Sequence, residues 1–224
     1  MNSDIEVQDR SLDEYRAMFG LTDNDLRRKI LDCPAGAASF TAEVSDRGGD
    51  VIACDIAYFG HSAEALVVLA EQEAARGARY VGDRREQYRW TYFADPDEHE
   101  RVRRQAVERF AGHLGQHPGR YVASRLPVLP FVDEGFDLTL SSHLLFSYSD
   151  GLDYGFHVEA IRELMRVTRE LRIFPLVAAG SSTPYAGLDD MLSDLRKHGI
   201  RGRVHVVDYE FQRGADRMLV FRRE

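Results

Sequence analysis

Cysteine is scarce in this sequence of 224 residues, which contains only Cys33 and Cys54. Neither thiol has a second cysteine or a histidine at the spacing of a metal ligand, so a zinc site and a disulfide framework are both excluded as organising elements. We predict no metal site. We expect both thiols to be buried as small apolar side chains in a reducing compartment, the cytoplasm.

Long apolar runs are also absent. No stretch approaches the roughly 18 apolar residues that a membrane-spanning helix needs. The first residues, MNSDIEVQDRSLDEYR, are polar and acidic, unlike the basic and then apolar start of a secretory signal. We therefore expect a soluble cytoplasmic protein without a membrane partner.

Positive charge is in deficit, with 29 Lys and Arg against 37 Asp and Glu and a net charge of −8. Proteins that hold nucleic acid through its phosphates usually carry a basic surplus or a dense basic face. The charge balance therefore argues against a nucleic-acid partner. It says nothing about the oligomeric state.

Short apolar runs alternate with helical patterns along the whole chain. The runs at 30–33, 51–54, 121–123, 136–142 and 171–177 predict strands, and helices are predicted at 11–30, 40–46, 62–76, 97–114, 158–168 and 188–198. Strands that are apolar on both faces and separated by helices indicate a doubly wound, mostly parallel α/β sheet. Val204–Tyr209 and Met218–Phe221 add an antiparallel terminal hairpin. We expect a single domain over residues 1–224.

About 65 residues separate the second and third predicted strands, more than a simple crossover needs. Within this gap, residues 77–119 are predicted to form an inserted helical cap. The segment carries four aromatic residues, Tyr88, Trp90, Tyr92 and Phe93. These aromatic side chains either roof a pocket for a flat or apolar molecule or pack the inserted helix onto the sheet, and the sequence leaves both alternatives open.

Two acids follow the first two predicted strands. Asp32 ends the first strand and is followed by a loop of small residues that contains Pro34 and Gly36, while Asp55 ends the second strand. Ligands of such sheets bind at the carboxyl ends of the strands, where a small-residue loop allows close approach. An acid nineteen positions after Gly36 is suited to accept from two ribose hydroxyls. The pattern favours a nucleoside with a cationic or zwitterionic arm.

Several segments resemble motifs of one enzyme family. ILDCPAGAASF at 30–40 and VIACD at 51–55 resemble motifs I and II of the class I S-adenosylmethionine-dependent methyltransferases. LPF at 129–131, FDLTLSSH at 136–143 and RELMRVTR at 162–169 are similar to later parts of that family. The resemblance covers roughly residues 11–224 and is weakest over 77–119. It implies a seven-stranded sheet in the order 3-2-1-4-5-7-6 and S-adenosylmethionine as cofactor.

The resemblance also implies roles for individual residues. The implied cofactor contacts are Tyr15, Asp32, Pro34, Gly36, Asp55, Ile56, Arg125, Leu126, Ser142 and His143. Asp32 would orient the loop and the methionine arm, Asp55 would hold the ribose, and Ile56 would lie beside the adenine. Tyr15 and Phe19 would form part of a lid. His143 is the candidate catalytic base, because the ordinary pKa of histidine suits neutral pH.

Two departures from the family pattern concern the cofactor contacts. The family loop usually has three glycines, and Pro34 and Ala38 stand at the outer two positions here. The family also has an acid–alanine pair after the third strand, where this chain has Arg125 and Leu126. Recognition of adenine must then depend on backbone groups or on a neighbouring residue.

Three functions remain to be compared. No Asn/Asp-Pro-Pro-Tyr signature of nucleic-acid amino methylation follows the fourth strand, so we predict a methyltransferase with a small-molecule acceptor. The alternative is a non-catalytic S-adenosylmethionine-binding sensor or partner subunit. A nicotinamide-dependent oxidoreductase is disfavoured, because the loop lacks G-x-G-x-x-G and Asp32 would lie beside a pyrophosphate.

Overall fold

A seven-stranded sheet with helices on both faces forms the centre of the protein. The computed structural model describes residues 9–224, so residues 1–8 of the predicted domain and N-terminal stretch lie outside the described residues. The strands are β1 (Lys29–Asp32), β2 (Asp50–Asp55), β3 (Tyr121–Ala123), β4 (Leu138–Ser142), β5 (Glu170–Phe174), β6 (Ile200–Val206) and β7 (Arg217–Arg223). The α-helices are α1 (Leu12–Phe19), α2 (Phe40–Ser45), α3 (Ala63–Asp83), α4 (Pro96–Gln116), α5 (Tyr154–Val167) and α6 (Leu188–Arg196).

The sheet has the order β3-β2-β1-β4-β5-β7-β6. The first five strands of this order pair in parallel. β7 pairs antiparallel with β5 on one side and with β6 on the other. The predicted strand order is confirmed, including the position of Met218–Phe221 between the fifth and sixth strands.

The central strands are buried because helices cover both faces of the sheet. All residues of β4 and β5 are buried. Neighbouring residues of β1 point to opposite faces, so that Ile30 joins the apolar cluster under α1 and α2, and Leu31 joins the one under α5 and α6. Across residues 9–224, no helix is both long enough and apolar enough to cross a membrane.

Side-chain caps define where the helices begin. At α1, Ser11 accepts from the backbone N–H of Glu14, whose carboxylate accepts from the N–H of Ser11 in return. At α4, Asp95 accepts from the N–H of Glu98, and Pro96 occupies the first turn. Both signals are local, and they explain why these helices start where the sequence predicts them within a residue or two.

Helix α3 is longer than predicted. The helical pattern predicts an end at Arg76, before Gly77, whereas α3 continues to Asp83. A glycine inside a helix costs about 1 kcal/mol relative to alanine, and packing of the last turn through buried Val81 offsets this cost. The predicted start of the inserted cap at residue 77 therefore falls inside α3.

Two further element boundaries differ from the predictions. The helix predicted over 11–30 ends at Phe19. Thr22 and Asp25 then exchange the reciprocal bonds of a capping box, but only a 3-10 turn, Asp25–Arg27, follows before β1 begins. Strand β6 begins at Ile200, earlier than the predicted Val204, because pairing with β7 extends its ladder toward the preceding helix.

Helices α1 and α4 are joined by a buried ion pair. The guanidinium of Arg103 donates two hydrogen bonds of 2.7 Å to the carboxylate of Glu14. The hydroxyl of Tyr209, from the β6–β7 connection, donates to the same carboxylate at 3.1 Å. Glu14 is fully buried and Arg103 is 4% exposed, so neither charge is stabilised by water.

We expect Arg103→Met to lower the free energy of unfolding by about 3–5 kcal/mol, because it leaves the Glu14 carboxylate buried and unpaired. Arg101→Met on the exposed side of the same helix is the control, and loss of its surface ion pair with Glu98 should cost at most about 1 kcal/mol. Urea unfolding followed by circular dichroism measures both. Equal effects of the two substitutions would contradict the importance of the buried pair.

Candidate functional site

The loop between β1 and α2 is held against the end of β2. Gly36 has φ +56°, a left-handed conformation that favours glycine. Its N–H donates to Oδ2 of Asp55 at 2.8 Å, and its carbonyl accepts from the hydroxyl of Tyr58 at 2.6 Å. Pro34 precedes it and is partly exposed. The structure thus brings together two residues, Gly36 and Asp55, that the sequence predicts to share one ligand.

Asp55 is 8% exposed and uses both carboxylate oxygens. Besides the bond from Gly36, Oδ1 accepts from the N–H of Ala57 at 2.8 Å. Burial raises the pKa of Asp55, and the bonds from backbone N–H groups oppose this shift. Because a carboxylate has about four lone-pair positions, about two remain for the hydroxyls of a ligand.

Asp32 and Tyr15 contact each other directly. The hydroxyl of Tyr15 lies 3.0 and 3.1 Å from the two carboxylate oxygens of Asp32, and its ring stacks on Phe40. Both Asp32 and Tyr15 are fully buried, as is Phe19. Burial raises the pKa of Asp32 well above its ordinary value, the Tyr15 bond opposes this, and the charge of Asp55 adds to it. The predicted cofactor contacts of Asp32 and Tyr15, and the lid role of Tyr15 and Phe19, stay predictions.

Ser142 ends β4 and His143 follows it at the same edge of the sheet. His143 has φ +49°, and its N–H donates to the carbonyl of Phe174 at 2.7 Å. Nδ1 of His143 lies 2.8 Å from Oγ of Ser142. Burial lowers the pKa of His143 well below its ordinary value, with further lowering by the charges of Arg10 and Arg103. The imidazole is therefore neutral at neutral pH.

The predicted adenine side of the site is more open. Ile56 is 37% exposed, and Arg125 is exposed as well. Leu126 is buried in the apolar cluster under α5. Ser124 directly precedes Arg125, and its N–H donates to the Asp55 carbonyl at 3.1 Å. Its Oγ is buried without a hydrogen-bond partner in the described chain, which makes it a further candidate contact.

A cavity of about 270 Å³ adjoins this edge and includes His143 in its wall. We call it the His143 cavity. Its wall also includes Arg10 before α1, Val81 of α3, His99 of α4 and Phe211 of the β6–β7 connection. The cavity thus lies where the loop after β4, the inserted segment and the end of the chain meet.

The aromatic residues of the inserted segment have different positions. Tyr88 lines the His143 cavity, whereas Phe93 is buried in the core and Trp90 and Tyr92 pack against that core. Trp90 contacts the ring of Phe211 at a centroid distance of 5.3 Å. Tyr88 packs against the same core as well, so packing applies to all four residues, and the roofing alternative stays a prediction for Tyr88.

Sequence reasoning missed Arg10 and His99, which face the same cavity. Neither belongs to a local motif. His99 was part of a charged helical stretch, and Arg10 preceded the first helix. Only the packing of α1 against α4 brings them together.

Comparisons with known proteins find similarity in sequence to one protein and in structure to others. No family model matches the sequence. An uncharacterized protein of Methanocaldococcus jannaschii is 29% identical over 222 residues, which cover 98% of this chain and 97% of that one. The structure of a TehB-like S-adenosylmethionine-dependent methyltransferase from Corynebacterium glutamicum aligns with 16% identity and a TM-score of 0.45, covering 88% of this chain and 81% of that chain. A candidate RNA methyltransferase from Pyrococcus horikoshii aligns with 10% identity and a TM-score of 0.43, covering 89% and 78%. Similarity at this level leaves the function to be argued from the residues of the site.

Asp32→Asn should stabilise the protein increasingly as the pH rises. Because the folded-state pKa of Asp32 is raised above 3.8, the folded protein retains a proton that the unfolded chain has lost. The free energy of unfolding of the wild type therefore falls as the pH rises from about 3.8 to the folded-state pKa of Asp32. The asparagine keeps an oxygen that accepts from Tyr15 and has no charge to bury.

Urea unfolding of the wild type and Asp32→Asn at about pH 4.5 and about pH 8 measures this difference. Asp13→Asn, on the exposed face of α1, is the control and should show no such trend. A difference between Asp32→Asn and the wild type that is the same at both pH values would contradict the prediction.

Proposed function

We propose that the protein is an S-adenosylmethionine-dependent methyltransferase that acts on a small molecule. The observation that carries the proposal is the position of His143. It directly follows β4, the strand next to β1, and it also lines the His143 cavity. A ligand bound along the strand ends and a second ligand in the cavity would therefore meet at His143.

The residues present at the strand ends fit this cofactor. Asp55 has lone pairs left for the ribose hydroxyls. The unpartnered Oγ of Ser124 would bond to the nucleoside near Ile56 and Arg125. Asp32 and Asp55 place two buried carboxyl groups at the site, and their repulsion is relieved by a cationic ligand.

When bound, S-adenosylmethionine supplies a methyl group on a cationic sulfur that leaves as a neutral thioether. The chain contributes mainly alignment and exclusion of water. In the tautomer whose Nδ1–H donates to Oγ of Ser142, Nε2 of His143 is free to accept the proton of the attacking group. The lowered pKa makes His143 a weak base, which suits orientation of the acceptor more than its full deprotonation.

A small acceptor is supported by the size and construction of the cavity. Its volume of about 270 Å³ lies just below the range for small-molecule sites, about 300–1,000 Å³. Residues 77–119 contribute Val81, Tyr88 and His99 to the wall, which supports a role of this segment as a cap within a single domain. The net charge of −8 does not favour a polyanionic acceptor.

The alternative function is a sensor or partner subunit that binds the cofactor without turnover. The replacement of two loop glycines by Pro34 and Ala38, and the weak basicity of His143, keep this alternative open. Cys33 and Cys54 are both free and buried, which supports a reducing cytoplasmic location for either function.

Asp55→Ala should weaken binding of S-adenosylhomocysteine by at least ~1.5 kcal/mol, or about 10-fold, because charge-assisted hydrogen bonds to the ribose are lost. Isothermal titration calorimetry measures the dissociation constant. Asp50→Ala is the control, since Asp50 lies on the same strand, is exposed and pairs with Arg120. An unchanged affinity in a folded Asp55→Ala variant would contradict the assignment of Asp55 to the ribose hydroxyls.

Turnover separates the two functions. With methyl-labelled S-adenosylmethionine and a cell extract divided into small molecules and RNA, we expect label in a small molecule. His143→Ala should slow this transfer by about 100-fold or more if the ring takes the proton, measured at saturating S-adenosylmethionine. Binding without any transfer would favour the sensor, and label in RNA would contradict a small acceptor.

A further inference from the structure

The His143 cavity is lined by hydrogen-bond donors without partners. Nε and Nη1 of Arg10 are buried and donate to no partner within the described chain, and Nδ1 of His99 is also buried without a partner there. Both side chains belong to the cavity wall. An unpaired buried donor costs about 1–3 kcal/mol, and more when it is charged. Native proteins rarely keep such groups without a ligand, an ion or ordered water.

The proton of His99 can be assigned to Nδ1. Nε of Arg103 lies 3.1 Å from Nε2 of His99, and a guanidinium can only donate, so Nε2 is the acceptor. Burial and the charges of Arg103 and Arg10 lower the pKa of His99 to about 2. The ring is therefore neutral with its single N–H at Nδ1, and this N–H is the unpaired donor.

Arg10 is the cation that the cavity leaves for a ligand. Arg103 is neutralised by its two bonds to Glu14. The carboxyl group of Asp9 lies 3.6 Å from Nε of Arg103, and the charges of Arg103 and Arg10 oppose the rise in its pKa that burial causes, but no hydrogen bond joins it to Nε or Nη1 of Arg10. The positive charge of Arg10 acts on both histidines of the cavity wall, because it contributes to the lowered pKa of His99 and of His143.

Flat aromatic surfaces lie beside these donors. The ring of Phe211 stacks on His99 at 4.9 Å and on Tyr88 at 4.7 Å. Phe174 lies 5.5 Å from the ring of His143. A cavity of about 270 Å³ accommodates a molecule of about one ring. The unpaired donors of Arg10 and His99 would bond to acceptor oxygens on that molecule, and the charge of Arg10 favours an anion.

We propose that the methyl acceptor is a small aromatic acid whose carboxylate is bound by Arg10 and His99. The ring would lie against Phe211 and Phe174, with its methyl-accepting group toward His143. This inference rests on the proposed function, because it names the substrate class of the same cavity.

The test uses 4-fluorobenzoate and 4-fluorobenzamide, which match in shape and differ in charge. Fluorine NMR titration gives the affinity of each for the protein, with and without saturating S-adenosylhomocysteine. We expect the wild type to prefer the carboxylate by about 10-fold or more, as a charge-assisted bond implies. Arg10→Gln should abolish the preference. Arg16→Gln is the matched control on α1, where Arg16 pairs with exposed Asp23, and it should retain it.

Further variants guard against misfolding. Arg10→Lys retains the charge and should retain part of the preference. His99→Phe retains a ring that can stack on Phe211 but removes the Nδ1 donor, so it should reduce the preference. Circular dichroism establishes that each variant is folded.

Three outcomes would overturn the proposal. One is equal affinity of the two probes for the wild type. Another is a preference that survives in folded Arg10→Gln and His99→Phe. The third is that Arg10→Gln weakens S-adenosylhomocysteine but not 5′-methylthioadenosine, because Arg10 would then hold the methionine carboxylate. Failure of the wild type to bind S-adenosylhomocysteine would instead reject the proposed function, and the titration without it would still decide whether the anion site exists.

Discussion

The buried contact between Glu14 and Arg103 determines how the parts around the His143 cavity fit together. It joins the first helix to the inserted helix, and Tyr209 ties the β6–β7 connection to the same carboxylate. Because Nη1 and Nη2 of Arg103 donate to Glu14, its Nε is left to donate to Nε2 of His99. The position of one proton in the cavity thus follows from an ion pair on its outer side.

At the strand ends, the loop between β1 and α2 is held by the carboxylate of Asp55. Asp55 fixes the loop through the N–H of Gly36, and under the proposed function its remaining lone pairs would accept from a ligand. Direct anchoring of this kind compensates for a loop with fewer glycines, because the backbone is held in place rather than left to adapt. The bond from Tyr58 to the Gly36 carbonyl restrains the loop from the other side.

Much of the fold could be predicted because its signals are local. Apolar runs, small-residue loops and caps such as Ser11 mark elements within a few residues, and Gly36 and Asp55 meet because neighbouring parallel strands end at one edge. The length of α3 could not be predicted, because packing of Val81 outweighs the helix-breaking tendency of Gly77.

The unpredicted half of the site depends on contacts between distant segments. Arg10 and His99 share no spacing rule, and their meeting depends on the packing of α1 against α4. The aromatic cluster shows the same limit, since its composition indicates burial but not which ring faces a cavity. Tyr88 pairs with the distant Gln212 and lines the cavity, whereas Trp90 packs against the core. No local pattern distinguishes the two residues.

The antiparallel insertion of β7 between β5 and β6 has a consequence for the order of assembly. β6 leaves the ribosome before β7, yet it has no place beside β5 until β7 arrives. During synthesis the edge of β5 is therefore an unprotected row of backbone donors and acceptors, of the kind that pairs with foreign strands. The nascent chain depends on β7 to close that edge, so a pause in translation before β7 would be the moment of greatest exposure to aggregation.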